Sequence, residues 1–124
     1  MGPILLRLLP GETVVGAAGV GADGSVLLAS RQGQLKRLRV DSLRPCERGD
    51  LGQIGLRFLE RGDRLVDLRA ERGGVVGVRL DNTDSRNLRL RSETLEAQDC
   101  TGTGLLLSLQ KGDTLQQLVP LIDR

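Results

Sequence analysis

The stretch GLRFLERGDRLVDL at Gly55–Leu68 decides how the rest of the chain is read, because it occurs in three versions. The others are ILLRLLPGETVVGA at Ile4–Ala17 and LLLSLQKGDTLQQL at Leu105–Leu118. Each pivots on a Gly followed by an acid: Gly11-Glu12, Gly62-Asp63 and Gly112-Asp113, so the pivots lie 51 and 50 residues apart. Apolar residues fall in matching columns around them: Leu5, Leu56 and Leu106; Leu8, Leu59 and Leu109; Val14, Leu65 and Leu115; Ala17, Leu68 and Leu118. A period near 50 is in the range of propeller blades and too long for helical hairpins of about 34 residues.

Between the pivots the pattern is that of strands. Ser25–Ser30 and Gln34–Val40 flank Arg31-Gln32-Gly33, where Gly33 suits a turn position with φ > 0. Val75–Leu80 and Asn87–Arg91 take the same places in the second repeat, joined by the turn-forming run Asp81–Ser85. The apolar columns are mirror-symmetric about each Gly-acid turn, which predicts a hairpin at each pivot with the columns as cross-strand partners. Leu5 and Leu8 then lie on opposite faces of one strand, so both faces are buried, as in a blade packed between neighbours. Two units and part of a third follow: repeat 1 over about 11–61, repeat 2 over about 62–111, and a third hairpin completed by 112–124. Turns are expected at Gly11, Gly33, Gly62 and Gly112.

Composition narrows the chemistry. Of 124 residues 39% are hydrophobic, enough for a core, yet Phe58 is the only aromatic residue and His, Tyr and Trp are absent. Without imidazole or phenol there is no ordinary general base, no His metal ligand and no tyrosyl nucleophile. Without aromatic platforms the chain is a poor binder of unstacked bases. No catalytic residue, cofactor or metal is therefore expected, and the chain is not an enzyme by itself. Cys46 and Cys100 lack C-x-x-C spacing and are expected to be free thiols of a reducing compartment. Gly16–Gly24 lacks the Lys-Ser/Thr end of a phosphate loop. Arg48-Gly49-Asp50 and Arg61-Gly62-Asp63 are turn chemistry, as are Asp81 and Asp84. No apolar run approaches the ~20 residues of a membrane helix, and the opening run matches the repeat rather than a signal peptide.

The net charge is +2, but it is unevenly spread. Arg31–Arg48 holds six basic residues against two acids, Arg69–Arg91 six against three, and Glu93–Asp123 five acids against Lys111. Sixteen of the 18 basic residues are Arg, whose fork suits phosphate oxygens. In Gln34–Val40 apolar and basic residues mix at roughly period two, predicting one packed face and one basic face in solvent.

The string Leu28-Ala-Ser-Arg-Gln-Gly-Gln-Leu-Lys-Arg37 resembles a family pattern: an apolar strand, a Thr or Ser, a turn Gly and a Lys-Arg pair. Glu47-Arg-Gly-Asp-Leu-Gly-Gln-Ile-Gly-Leu56 resembles the R-G-x-x-G-x-x-G stretch that follows it, and Leu59–Val66 its closing hairpin. Together they are similar to the C-terminal domain that bacterial type IIA topoisomerases, DNA gyrase and topoisomerase IV, carry in their A subunits. The resemblance is densest from Ser25 to Leu68. It thins from Val75 to Gly104, where Asp84-Ser85-Arg86-Asn87-Leu88 replaces the turn Gly and the Lys-Arg pair. The basic box that marks gyrase, Q-R-R-G-G-K-G in form, has no match beyond Glu47–Gly52, which leaves gyrase against topoisomerase IV open.

The resemblance implies an all-β fold of propeller-like β-pinwheel blades, each of about four antiparallel strands and exchanging strands with its neighbours. Roughly two blades plus an extra hairpin are present. It implies non-sequence-specific binding and bending of duplex DNA by a cytoplasmic, nucleoid-associated accessory module. Its partners would be duplex DNA, the remaining blades, the catalytic core and, through the holoenzyme, the topoisomerase B subunit. The expected DNA contacts are Arg31, Lys36, Arg37, Arg39, Arg44 and Arg48 in the first repeat, and Arg79, Arg86, Arg89 and Arg91 in the second. They would form a stripe that neutralises phosphates without reading bases. The alternative is a scaffold whose blades serve protein–protein contact or self-association, the basic residues merely solvating strand faces.

Overall fold

The structure, a computed structural model, describes residues 10–21, 23–44, 52–71, 75–81, 87–91, 94–109 and 112–120. Strands β1 (Ser25–Ser30) and β2 (Gln34–Arg39) form an antiparallel hairpin, and β3 (Leu65–Ala70) joins the other edge of β1. In the second repeat β4 (Val75–Asp81) and β5 (Asn87–Arg91) pair likewise, and β8 (Thr114–Pro120) joins the other edge of β4. Two short strands, β6 (Ala97–Gln98) and β7 (Leu105–Leu106), cross from the second repeat to the free edge of β2, β6 parallel and β7 antiparallel. The sheets are thus β3-β1-β2 with β6 and β7, and β5-β4-β8. This is the all-β blade architecture expected, with a 3-10 turn at Val40–Ser42 and 3-10 geometry at Thr94, and no helix among the described residues long and apolar enough to cross a membrane.

The Gly-acid turns form where expected. Gly11, Gly33, Gly62 and Gly112 have φ of 83°, 95°, 82° and 90°. The described arms around Gly62 and Gly112 do not pair with each other, which corrects the hairpin expectation there. The arm after Gly62 becomes β3 and pairs with β1, while residues 52–59 before it form no strand. Around Gly112, β7 goes to β2 and β8 to β4. Around Gly62 three of the four column residues pack instead of pairing: Leu56, Leu65 and Leu68 converge on one cluster with Val26, Leu28 and Leu38, while Leu59 is exposed, as are Val14 and Leu106 in the other copies. The first arm of the first copy, with Leu5 and Leu8, lies outside the described residues.

Alternation on β1 explains the stacking of the blades. All six of its residues are buried, so it is the central strand of a two-faced layer. Leu27, Ala29 and Leu35 face the second blade and meet Val78, Leu80, Leu115 and Leu118 in one core. Val26, Leu28 and Leu38 face the opposite way. Burying a Leu or Val side chain fully contributes roughly 1.5–3 kcal/mol, so the shared core holds the two blades as one body.

Exchange of β6 and β7 requires the chain to pass very close to β2. Gly104 sits at φ 74°, and a Cβ there would collide with the Leu35 carbonyl. Gly104→Ala is expected to destabilise by more than the roughly 1–2 kcal/mol of a left-handed alanine, because the obstacle is backbone. Leu35→Ala, in the interblade core, is expected to cost about 2–5 kcal/mol. Both are read from the midpoint of urea unfolding. An unchanged midpoint for Gly104→Ala would refute the exchange of β7 onto β2.

Candidate nucleic-acid interface

The residues that carry the resemblance tie the backbone together. Ser30, fully buried, donates its hydroxyl to Asp63 Oδ2 at 2.6 Å and accepts from the Gln34 N–H at 3.0 Å. Asp63 also accepts from the N–H groups of Gln32 and Arg64, at 3.0 and 2.8 Å. The acid of the middle Gly-acid turn therefore clamps the β1–β2 turn, and the buried hydroxyl is satisfied on both sides. Gln34, also fully buried, donates through Nε2 to the carbonyls of Arg57 and Thr103, at 2.9 and 2.7 Å, and accepts from the Leu59 N–H at 3.0 Å.

Lys36 is the main departure from the expected DNA contacts. Its side chain is completely buried and Nζ donates to the Gly55 carbonyl at 2.6 Å. The register explains this: Lys36 lies opposite Leu28 and shares a face with Leu38, which is a core face. Period two along Gln34–Arg39 predicts one basic solvent face, but the first blade buries both faces of β1 and most of β2, and Lys36 falls among apolar neighbours. Burial pushes its ammonium below the ordinary lysine range, against the opposing pull of the Cys100 thiol and the Asp99 carboxylate.

Arg37 is also engaged within the fold. It ion-pairs with Glu71 at 3.3 Å and donates to Ser25 Oγ and the Leu95 carbonyl, at 3.0 and 3.3 Å. Its side chain is 28% exposed, and that of Glu71 only 10%. Arg39 is exposed and pairs loosely with the exposed Asp41 at 3.5 Å. Arg44 is exposed, its backbone held by both ends of the Gln53 amide. Arg31 is exposed at the β1–β2 turn, and Arg79, Arg89 and Arg91 are exposed on the second blade. Arg48 and Arg86 lie outside the described residues, as does Cys46; Cys100 is a free, half-buried thiol.

The fold also brings forward arginines that the repeat pattern does not single out. Arg64 stands beside Arg31, whose N–H donates to the Arg64 carbonyl at 2.8 Å. Both line an open cleft of about 930 Å³ with Phe58, Glu12, Asp63 and Gln116. Arg57, Arg61 and Arg69 are exposed as well, Arg69 against Asp67. The available signal is Arg61-Gly-Asp-Arg64, two arginines bracketing a turn that the structure seats on Arg31.

A consequence for stability follows from Lys36. It holds its proton less tightly folded than unfolded, so between its lowered value and the ordinary one the unfolded chain binds the extra proton. Stability then rises with pH across that window. Lys36→Leu, which copies Leu88 at the matching place on β5, is expected to abolish the rise, as measured by urea midpoints from neutral to alkaline pH. A rise of the same size in the variant would assign it to another group.

Residues 24–70 match the family model described as DNA gyrase C-terminal domain, beta-propeller. That span runs from just before β1 to the end of β3, which is the first blade. Among solved structures, the crystal structure of the C-terminal domain of DNA topoisomerase IV superposes with a TM-score of 0.77 at 16% sequence identity. The match covers 91% of this chain and 36% of that one, so the chain spans about a third of that structure. No curated protein matches the chain. In its first blade by sequence and over nearly its whole length by fold, the chain is similar to the C-terminal domain of type IIA topoisomerase A subunits.

Proposed function

We propose that the chain is a non-catalytic module that binds and bends duplex DNA without reading its sequence, as an accessory part of a type IIA topoisomerase. The observation that carries this reading is the exposure of arginines on both blades while the acid of the middle turn is consumed inside the fold. Arg31, Arg39, Arg44, Arg57, Arg61 and Arg64 are exposed on the first blade and its turns, whereas Asp63 is spent on Ser30 and the turn backbone. Arginine forks match phosphate oxygens bidentately, and a row of them along a blade and its turns bends a duplex through its backbone. Lys36 has no place in this contact, and Arg37 a secondary one. The partners this reading implies are the remaining blades, the catalytic core and the topoisomerase B subunit.

A second reading, a scaffold for protein contact or self-association, is favoured by one observation. The face of the first blade turned away from the second is an open apolar groove of about 730 Å³, lined by Val20, Val26, Leu28, Ile54, Phe58 and Leu68 among others. Ile54 and Phe58 are 56% and 42% exposed.

Binding of a random-sequence duplex, followed by fluorescence anisotropy over a salt series, separates the two. On the DNA reading log affinity falls steeply with log salt, and Arg39→Gln with Arg44→Gln flattens the slope by about 0.9 for each phosphate no longer neutralised. Lys36→Leu leaves the slope unchanged. Absence of duplex binding, together with concentration-dependent association in ultracentrifugation, would make the scaffold the better account.

A further inference from the structure

The two blades differ in one systematic way. In the first, the face carrying Leu27, Ala29 and Leu35 is buried against the next blade. The repeat places Gly77, Arg79 and Asn87 at the matching positions of the second. The register puts Arg79 opposite Asn87 and Gln117, and Arg89 opposite Gly77, at positions on the face of β4 turned away from Val78 and Leu80. Arg79 and Arg89 are therefore cross-strand neighbours on one sheet face, on a diagonal of about 7–8 Å between backbones, and both are exposed. Arg91 follows on the same face two residues along the strand.

Arg89 is the counterpart of Arg37, and the two have different surroundings. Arg37 is neutralised by Glu71. Position 121, which matches Glu71, is a leucine. Among the described residues no ion pair is formed by Arg79 or Arg89, whereas Arg37, Arg39 and Arg69 each have one. Stacking another apolar blade on this face would strip water from guanidinium groups that form no ion pair among the described residues, a penalty that apolar contact does not offset. The face is built to stay wet and positive.

We propose that this outer face of the second blade is itself a duplex-DNA contact, made by Arg79 and Arg89 and separate from the arginines around the first blade. The inference rests on the DNA-binding reading above and adds a location to it: a flat sheet face in place of a blade rim. Charge complementarity selects the partner, since two exposed forks with no ion pair among the described residues, on a three-stranded sheet, suit the regularly spaced phosphates of a duplex.

The test uses the whole chain and a random-sequence duplex in a salt series. Arg79→Gln with Arg89→Gln is expected to weaken binding and to flatten the log–log salt slope by about 0.9 for each of the two phosphates released. The loss should add to that of Arg39→Gln with Arg44→Gln, while Arg79→Lys with Arg89→Lys keeps the slope. A second measurement needs no variant: duplex DNA should protect Arg79 and Arg89 from an arginine-specific dicarbonyl reagent, read by mass spectrometry. Unchanged affinity in the Gln pair and no protection, with the first-blade variants still losing affinity, would overturn this face as a contact and leave the DNA reading standing. Failure of the unaltered chain to bind duplex at all would overturn both.

Discussion

Two side chains of β2 do the work of a missing strand. Residues 52–59 run past the first blade without joining its sheet, most of them exposed, with Leu56 alone among them buried in the core. Gln34 and Lys36 supply the partners: the amide of Gln34 takes the Arg57 carbonyl and the Leu59 N–H, and the Lys36 ammonium takes the Gly55 carbonyl. Gln34 also reaches the Thr103 carbonyl, so one buried amide joins segments from both repeats. A buried backbone group left unpaired costs on the order of 1–3 kcal/mol, so these part-buried bonds help to fix the segment against the blade. The placement of Leu56 in the core and the entry into the Gly62 turn both depend on them.

A related device joins the blades. Asp67, buried on β3, accepts from the Leu118 N–H of β8 at 2.8 Å while also accepting from the Leu68 N–H. The Leu115 N–H donates to the Arg31 carbonyl at 2.7 Å. Polar bonds of this kind are directional where the surrounding Leu and Val contacts are not. They set the register in which Leu27, Ala29 and Leu35 meet the second blade, and so the angle at which exposed arginines on the two blades are displayed.

Much of the fold is legible in the sequence because blades impose a period. The 50-residue repeat locates the strands β1, β2, β4 and β5 and the positive-φ glycines of the turns. What the repeat does not contain is partner choice. Columns symmetric about Gly62 fit a hairpin and fit equally well two segments packing into one cluster, and only the backbone pairing of β3 with β1 separates these. The candidate interface is legible to the extent that arginine is costly to bury: Arg31, Arg39, Arg44, Arg79, Arg89 and Arg91 are all exposed. Lys36 misleads because a lysine in a strand is ordinarily on a wet face, whereas the middle of the first blade's hairpin is buried on both faces. Its placement between Leu35 and Leu38 holds the clue, since Lys36 and Leu38 share a face and Leu38 is buried.

The same logic explains why the second blade departs from the family pattern at the positions where it does. Ser30, Gln34 and Lys36 serve the first blade because a turn acid and an unladdered segment lie beside them. At the matching places of the second blade stand Leu80, Arg86 and Leu88. Leu80 is buried in the interblade core, although the matching turn acid, Asp113, is present. Leu88 is 37% exposed, where a buried lysine would need a carbonyl. In the first blade the Ser, Gln and Lys of the pattern bond inside the fold, to Asp63, to the Arg57 and Thr103 carbonyls and to the Gly55 carbonyl, and the second blade, with other residues at those places, does not repeat that set of bonds.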